Sequence, residues 1–291
     1  MCERVGLSRA SYYRLWEQTA PAEAETELRE AVQQAALAHR HYGYRRITAW
    51  LKRHQWEVGW RKVRRLMRED NLLAVAKRKF IPTTDSQHRF RVYPNLVEHL
   101  VIEDINQLWV ADLTYIRLME EFVYLAVVLD AFSRRVVGSA LGRTLQASLP
   151  LAALNRALRQ RQPGPGLVHH SDRGTQYACH KYVHRLEACQ AVLSMSRPAR
   201  PWENARCESF IRTLKKEALD GRGYRSLQEL KDHLEEFIEQ TYNRVRLHSA
   251  LGYQSPEEFE QKLARHKPQS WSFPAALTFP RYEEVPFLEG G

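Results

Sequence analysis

Three short runs rich in β-branched and aromatic residues follow one another between residues 107 and 142, and they constrain the fold more than any other feature. The runs are QLWVADLTYIRL, FVYLAVVLDAF and RRVVGSALG, with gaps of turn length between them. This pattern predicts three antiparallel strands. Periodicity then predicts a helix over 148–161, a strand over 166–172, a helix over 182–190, a strand over 191–196 and a helix around residue 208. The order βββαβαβα makes a mixed five-stranded sheet with helices on both faces.

Three acidic residues occupy related places in this predicted sheet. Asp112 lies inside the first strand, Asp172 directly follows the fourth strand, and Glu208 lies on the helix after the fifth. Ligands of such sheets bind beyond the strand ends, so we expect the three carboxylates to converge. Clustered carboxylates repel one another unless a cation neutralises them, and their hard oxygen ligands suit Mg²⁺ or Mn²⁺. A pair of these ions is suited to in-line phosphoryl displacement.

The neighbours of Glu208 allow two interpretations. Glu208 and Arg212 are spaced as an ordinary surface ion pair on a helix, which contributes only a few tenths of a kcal/mol. The alternative is that Glu208 binds a metal ion while Arg212 and Lys215 hold a phosphodiester against it. Gln176 and Tyr177 follow the turn at Gly174 and are predicted to contact the substrate strand, with loop capping as the alternative.

Asp130 closes the second strand before a turn, where aspartate commonly caps backbone amides. We therefore favour a structural role for Asp130 over that of a fourth metal ligand. A zinc site is disfavoured at Cys179, His180, His184 and Cys189, because these residues lack the usual closely spaced ligand pairs.

The positive charge is concentrated in one part of the chain. The net charge is +10, and residues 40–91 carry fifteen Lys and Arg against four Asp and Glu. Such a basic segment with interleaved aromatic residues suits phosphate neutralisation. Helices are predicted at about 45–54 and 60–70, and the second has a basic face that we expect to bind DNA, formed by Arg61, Lys62, Arg64, Arg65 and Arg68. The alternative is a small helical domain with a solvated basic face.

These patterns predict four segments. Residues 1–76 form a basic helical DNA-binding region, in which residues 2–16 are like half of a helix-turn-helix. Residues 77–96 form a basic linker, residues 97–262 the catalytic core with its C-terminal helices, and residues 263–291 a loosely ordered tail. The sequence shows no signal segment or membrane span and has four cysteines, which favours a reducing cytoplasm.

Five ordered motifs resemble those of a known family. They are WVADLTYI, VVLDAFSRRVVG, HHSDRGTQY, NARCESFIRTLKKE and YNRVRLHSALGYQSPEEF, and 35 residues lie between Asp172 and Glu208. They are similar to the catalytic, OrfB-type transposases of two-reading-frame bacterial insertion sequences, whose core is related to that of retroviral integrases. The resemblance implies an RNase H-like core, catalytic Asp112, Asp172 and Glu208, and two Mg²⁺ or Mn²⁺ ions. It also implies cleavage at the element ends, transfer of the 3′-hydroxyl to target DNA, and a DNA contact by Lys215.

The resemblance also implies partners. The substrates are the terminal repeats of the element and the target DNA, so the protein is expected at the nucleoid when bound, as a multimer that joins two DNA ends. An upstream-frame protein, or fusion to it by frameshifting, is expected to supply a fuller helix-turn-helix and a leucine zipper.

Two positions depart from the motifs of the family. Glu203-Asn204 stands where the family usually has Asp-Asn, and Leu247 stands where it often has proline. We expect Glu203 to cap the following helix or to interact with its N-terminal amides.

Two other function classes remain open: an RNase H-like structure-selective nuclease, and a non-catalytic DNA-binding regulator from a decayed element.

Overall fold

The computed structural model describes residues 23–72, 91–98, 100–119, 121–197 and 200–266. The chain divides into two compact units, Met1–Phe80 and Ile81–Gly291. Most of the predicted linker, the segment at residues 2–16 and all of the predicted tail beyond residue 266 lie outside the described residues. The four predicted segment boundaries remain predictions.

Residues 23–72, the described part of the first unit, form three helices: α1 (Glu23–Ala38), α2 (Tyr44–Arg53) and α3 (Trp60–Glu69). Helices α2 and α3 confirm the two predicted in this region, whereas the sequence reasoning did not predict α1. The apolar stripe of α1 is short of large residues and includes Ala35 beside Leu28 and Val32, which weakens the periodic signal. The three helices bury a common core to which α2 and α3 contribute Ile47, Leu51, Val63, Leu66 and Met67.

The second unit is built on a five-stranded sheet. Its strands are β1 (Leu108–Arg117), β2 (Phe122–Asp130), β3 (Val136–Gly142), β4 (Val168–Ser171) and β5 (Val192–Met195). Their order across the sheet is β3-β2-β1-β4-β5. The pairs β1–β2 and β2–β3 are antiparallel, while β1–β4 and β4–β5 are parallel. The predicted mixed sheet is confirmed, and β1 lies at its centre.

Helices cover both faces of the sheet. Helix α4 (Ser148–Arg161), the single turn α5 (Thr175–Ala178) and α6 (His180–Glu187) contribute to the core on one face. Helices α7 (Ala205–Leu214) and α8 (Leu227–Glu236) contribute to the core on the other. Helix α4 lies so close to β3 that a Cβ atom at Gly138 would be 2.2 Å from the carbonyl oxygen of Ala153. Only glycine fits this contact without a shift of the backbone.

Two helices continue with wider π-helical turns, which the sequence reasoning did not predict. Helix α7 continues over Lys215–Leu219 and α8 over Phe237–Val245. The second π segment places Asn243 against β3, where its amide group accepts from Val136 N at 3.0 Å and donates to Val136 O at 3.1 Å. The last helix among the described residues, α9 (Pro256–His266), begins with a capping box: Glu258 N donates to Ser255 Oγ, and Ser255 N donates to the Glu258 carboxylate.

Asp130 has the structural role that we favoured. Its carboxylate is fully buried and accepts hydrogen bonds from the backbone amides of Asn106, Phe132 and Ser133 at 2.7, 3.0 and 2.9 Å. The Arg161 guanidinium lies 3.9 Å from it and also binds Glu260 of α9. Asp130 therefore caps the turn after β2 and joins a buried ionic cluster that ties α4 and α9 to that turn.

We expect Asp130→Asn to lower the free energy of unfolding by about 1–3 kcal/mol, because an amide group offers only one oxygen to three buried N–H donors. Urea unfolding measures this loss, with the exposed Asp220→Asn as the matched control. DNA cleavage per folded molecule should stay near the wild-type rate. A folded but inactive variant would place Asp130 in the active site instead.

Candidate active site

The parallel pairing of β1 with β4 aligns two of the three acids. Trp109 and Val110 pair with His169 and His170. Continued by two residues, this register sets Asp112 level with Asp172, one residue beyond the end of β4. Neighbouring strands are about 4.8 Å apart, so the paired backbones run side by side up to two residues before Asp112 and Asp172. The carboxylate of Asp172 also accepts a hydrogen bond from Gly174 N at 3.0 Å, which closes the turn after the strand.

The third acid is brought to β1 by anchors at the start of α7. The Asn204 side-chain amide donates to the Ala111 carbonyl at 3.0 Å, and the fully buried Cys207 thiol lies 3.9 Å from the Val110 carbonyl. Both contacts fall on the two residues before Asp112. They hold the first turn of α7, which carries Glu208, against the central strand. Sequence reasoning placed Cys207 on the apolar face of this helix but missed Asn204 as an anchor.

Electrostatic coupling shows that the three acids share one environment. The pKa of Asp112 is raised to about 8, first by burial and then by the negative charges of Asp172 and Glu208, while the Leu113 amide and Lys215 act in the opposite direction. Burial also raises the pKa of Glu208, and Arg212 opposes that shift. The buried Cys207 thiol has a pKa well above its usual value because of burial and of the same three carboxylates. Ionisation of Asp112 is therefore disfavoured by burial and by the two other acids.

This donor set fits a divalent cation chemically. Three carboxylates supply hard oxygen ligands, and a bound cation would relieve the repulsion that raises the pKa of Asp112. Within the described ranges, however, no three His, Cys, Asp or Glu side chains are close enough to form a ready metal-binding group. The acids are thus neighbours that a cation would have to draw together.

The described part of the chain also contains no helix long and apolar enough to cross a membrane.

Comparisons with known proteins identify the family to which the chain belongs. Residues 103–201 and 190–256 match models described as integrase core domain, and residues 23–80 match an HTH-like domain. The chain is 38% identical to the insertion element IS600 uncharacterized 31 kDa protein of Shigella sonnei, over 90% of this chain and 98% of that protein. It is 32% identical to the transposase InsF for insertion sequence IS3A of Escherichia coli K12, over 90% of this chain and 93% of that one. The chain belongs to the OrfB-type transposases of the IS3 family.

A third relative, the transposase for insertion sequence element IS904 of Lactococcus lactis, is 34% identical over 78% of this chain and 91% of its own length. Among solved structures, the simian T-cell lymphotropic virus intasome in complex with PP2A regulatory subunit B56 gamma gives a TM-score of 0.47 at 16% identity, over 87% of this chain and 80% of that one. The strand order and the integrase core match together give the transposase an RNase H-like fold, as predicted.

The predicted DNA contacts near the acids have different surroundings in the transposase. Arg212 is exposed, and the Lys215 ammonium lies 4.8 Å from the centre of the Tyr115 ring. Gln176 is partly exposed and donates to the Leu145 carbonyl at 3.2 Å. Tyr177 is only 1% exposed and packs in the core against Tyr182, so its side chain is not placed to touch a substrate strand. We withdraw Tyr177 as a DNA contact.

The expected role of Glu203 was also wrong. Its carboxylate accepts from Arg197 N at 2.7 Å and from Arg197 Nε at 2.6 Å, so it binds the preceding loop and not the amides of α7. Leu247, the other departure from the family motif, is buried.

The predicted basic face lies on α3, where Arg61, Lys62, Arg64, Arg65 and Arg68 are all exposed. Acidic residues of the same unit partly neutralise it: Arg65 pairs with Glu25 at 2.8 Å and with Glu69 at 3.3 Å, and Lys62 lies 3.8 Å from Glu25. Arg61 and Arg64 lie over the rings of Trp60 and Tyr44. The basic side chains of α3 therefore differ in how much positive charge they can offer to a phosphate group.

We expect Asp112→Asn to stabilise the metal-free transposase near pH 8. Between the ordinary pKa of 3.8 and the folded value of about 8, the folded state holds a proton that the unfolded chain has released, so stability falls as pH rises through this window. An asparagine removes that loss, and we expect a rise of roughly 2–4 °C in the melting temperature. Thermal melts from pH 5 to 8 in EDTA, with Asp220→Asn as control, test this; an equal shift at pH 5 and pH 8 would contradict it.

Proposed function

We propose that this transposase cleaves DNA at the ends of its element and transfers the 3′-hydroxyl to target DNA through an Asp-Asp-Glu triad of Asp112, Asp172 and Glu208. The observation that carries the proposal is geometric: the β1–β4 register leads to Asp112 and Asp172, and Asn204 and Cys207 hold the turn with Glu208 against the same stretch of β1. The negative charges of Asp172 and Glu208 also raise the pKa of Asp112. Three carboxylates from separate elements, each partly exposed, can receive both a cation and a phosphodiester.

Two Mg²⁺ or Mn²⁺ ions held by these carboxylates would supply activation of the attacking oxygen and stabilisation of the leaving oxygen. The chain itself supplies orientation. The β-sheet register keeps Asp112 and Asp172 level, and the Asn204 anchor holds the turn that carries Glu208 beside them. These contacts fix the backbones that carry the acids, and a bound cation would then draw their carboxylates together.

We also propose that Lys215 and Arg212 hold the scissile phosphate. Burial lowers the pKa of Lys215 and the charge of Asp112 raises it, which supports a position of the ammonium group near the acids. The Lys215 side chain packs over the Tyr115 ring, which restricts the positions that its ammonium group can occupy. A cation beside the acids would offset the repulsion between the three carboxylates and an incoming phosphate.

The transposase would act on two DNA ends as a multimer, with an upstream-frame protein or fusion supplying further end recognition. Membership of the family supports this part of the proposal.

The deciding experiment incubates the full chain with labelled duplexes carrying the ends of the element, in Mg²⁺ or Mn²⁺, and resolves nicked and joined strands. We expect Glu208→Gln to reduce both products by at least about a thousandfold, since it removes a charged ligand of the reacting centre. Glu236→Gln, an exposed change on α8, is the matched control and should leave both products unchanged.

Each alternative function has its own outcome in this assay. Nicked strands that are never joined would make the protein a nuclease. Binding without cleavage in either metal, even with the upstream-frame protein added, would make it a regulator. Full cleavage by Glu208→Gln would remove Glu208 from the triad.

Binding by the first unit leads to a separate prediction. Arg61→Gln and Arg68→Gln should each reduce the slope of log affinity against log salt by about 0.9, because each removes one phosphate contact. Arg65→Gln should change the slope less, since Glu25 and Glu69 already neutralise Arg65. Fluorescence anisotropy with duplex DNA from 50 to 300 mM salt, roughly the range over which such contacts weaken, measures these slopes. Equal slopes for all three variants would contradict the assignment of the α3 face.

A further inference from the structure

Trp202 lies on the surface next to the acid cluster. Its side chain is 65% exposed, and it is the most exposed large aromatic residue in the part of the chain that the structure describes. Single apolar residues on a surface are common and need no explanation by themselves. The surroundings of Trp202 distinguish it from such a residue.

The exposure of Trp202 is imposed by its neighbours. It belongs to a short 3₁₀ helix, Pro201–Asn204, that leads directly into α7. The next two residues are both held inward: Glu203 is bound to Arg197, and Asn204 is bound to the Ala111 carbonyl. With both of these side chains fixed against the protein, the geometry of the turn directs the indole ring outward.

The same two contacts also fix the position of the Trp202 backbone. Ala111 is the residue before Asp112, and a 3₁₀ helix rises about 2 Å per residue, so the Trp202 backbone lies about 4 Å along the axis from the Asn204 anchor. Glu208 follows one turn of α7 later. The exposed indole is therefore carried by the segment that is anchored to β1 beside Asp112 and leads directly into the turn with Glu208.

A cation accompanies the ring. The Arg200 guanidinium lies 6.0 Å from the centre of the Trp202 ring and 3.9 Å from the Glu203 carboxylate, and the Arg200 side chain is 44% exposed. An exposed aromatic ring beside an arginine is the arrangement with which proteins bind single-stranded nucleic acid, in which the ring stacks on a base and the cation meets the phosphate backbone. Stacking requires no particular base, because every base has a π-face.

We propose that Trp202 is a stacking site for one unpaired nucleobase at the DNA end whose phosphate enters the acid cluster. This inference rests on the proposed function of that cluster. A base in a duplex is covered on both faces, so it can stack on Trp202 only after it leaves its pair. The ring thereby holds the end of the duplex open beside the scissile phosphate.

The binding test uses end duplexes with 2-aminopurine at successive positions near the cleavage site. The full-length Glu208→Gln protein is added in Mg²⁺, so that DNA is bound without being cut. We expect the fluorescence at one position to be quenched by stacking. Adding Trp202→Ala to Glu208→Gln should abolish the quenching, and adding Trp202→Phe should retain part of it, while overall DNA affinity changes little.

The kinetic test compares paired ends with ends frayed by two terminal mismatches. In the otherwise wild-type protein, Trp202→Ala should slow cleavage of the paired end by roughly ten- to a hundredfold, the range expected for one lost base-stacking contact. It should cleave the frayed end at nearly the wild-type rate, because the base is already free. The rate at which Trp202→Phe cleaves the paired end should lie between the rates of the wild type and Trp202→Ala. Unchanged melting temperatures establish that both variants are folded.

Several outcomes would overturn the inference without affecting the triad. They are an absence of quenching at every position, quenching that persists in Trp202→Ala, and a loss of cleavage that fraying does not rescue. If Trp202→Ala changes the oligomeric state of the protein and leaves quenching and cleavage of the paired end unchanged, Trp202 is a contact between protein chains. By contrast, a wild-type protein that cleaves neither substrate, even with the upstream-frame protein added, would overturn the proposed function itself, whatever the quenching shows.

Discussion

The parallel pairing of β1 with β4 is the contact on which the active site depends. These two strands lie at the centre of the sheet, covered on both faces, and their register sets Asp112 beside Asp172. A shift by one residue would turn every side chain of β1 to the opposite face. Because both apolar cores rest on the alternate residues of this strand, such a shift would expose them. The stability of the fold therefore protects the alignment of the acids.

The clustered acids of the site lower the stability of the metal-free protein. Burial and the charges of Asp172 and Glu208 disfavour the ionised form of Asp112, which costs folding free energy. The rest of the unit must supply the stability that the site lacks. Compensation is visible away from the acids: Asp130, Arg161 and Glu260 form a buried, hydrogen-bonded ionic cluster, and Arg246 binds Glu217 through two hydrogen bonds. These groups stabilise the helices that frame the site. A cation at the acids would then remove the remaining repulsion and stabilise the folded state further.

Much of the second unit could be predicted because its signals are local. Alternating apolar residues set the strands, and the Ser255–Glu258 capping box set the start of α9. The identities of Asp112, Asp172 and Glu208, and their order along the chain, also follow from the motifs. Features that depend on contacts between distant segments were missed or wrong. Tyr177 sits in the core, Glu203 binds Arg197 in place of the helix amides, and α1 has an apolar stripe too weak to stand out.

The sequence by itself determined which residue types are present, which strands and helices they form, and which acids are available to bind metal. Only the tertiary structure decided that Asp112 lies level with Asp172, that Asn204 fastens the Glu208 helix to the central strand, and that Trp202 faces outward. The reason is physical. Local periodicity records which face of an element is apolar, whereas register, anchoring and exposure are set by the packing of residues far apart in the chain.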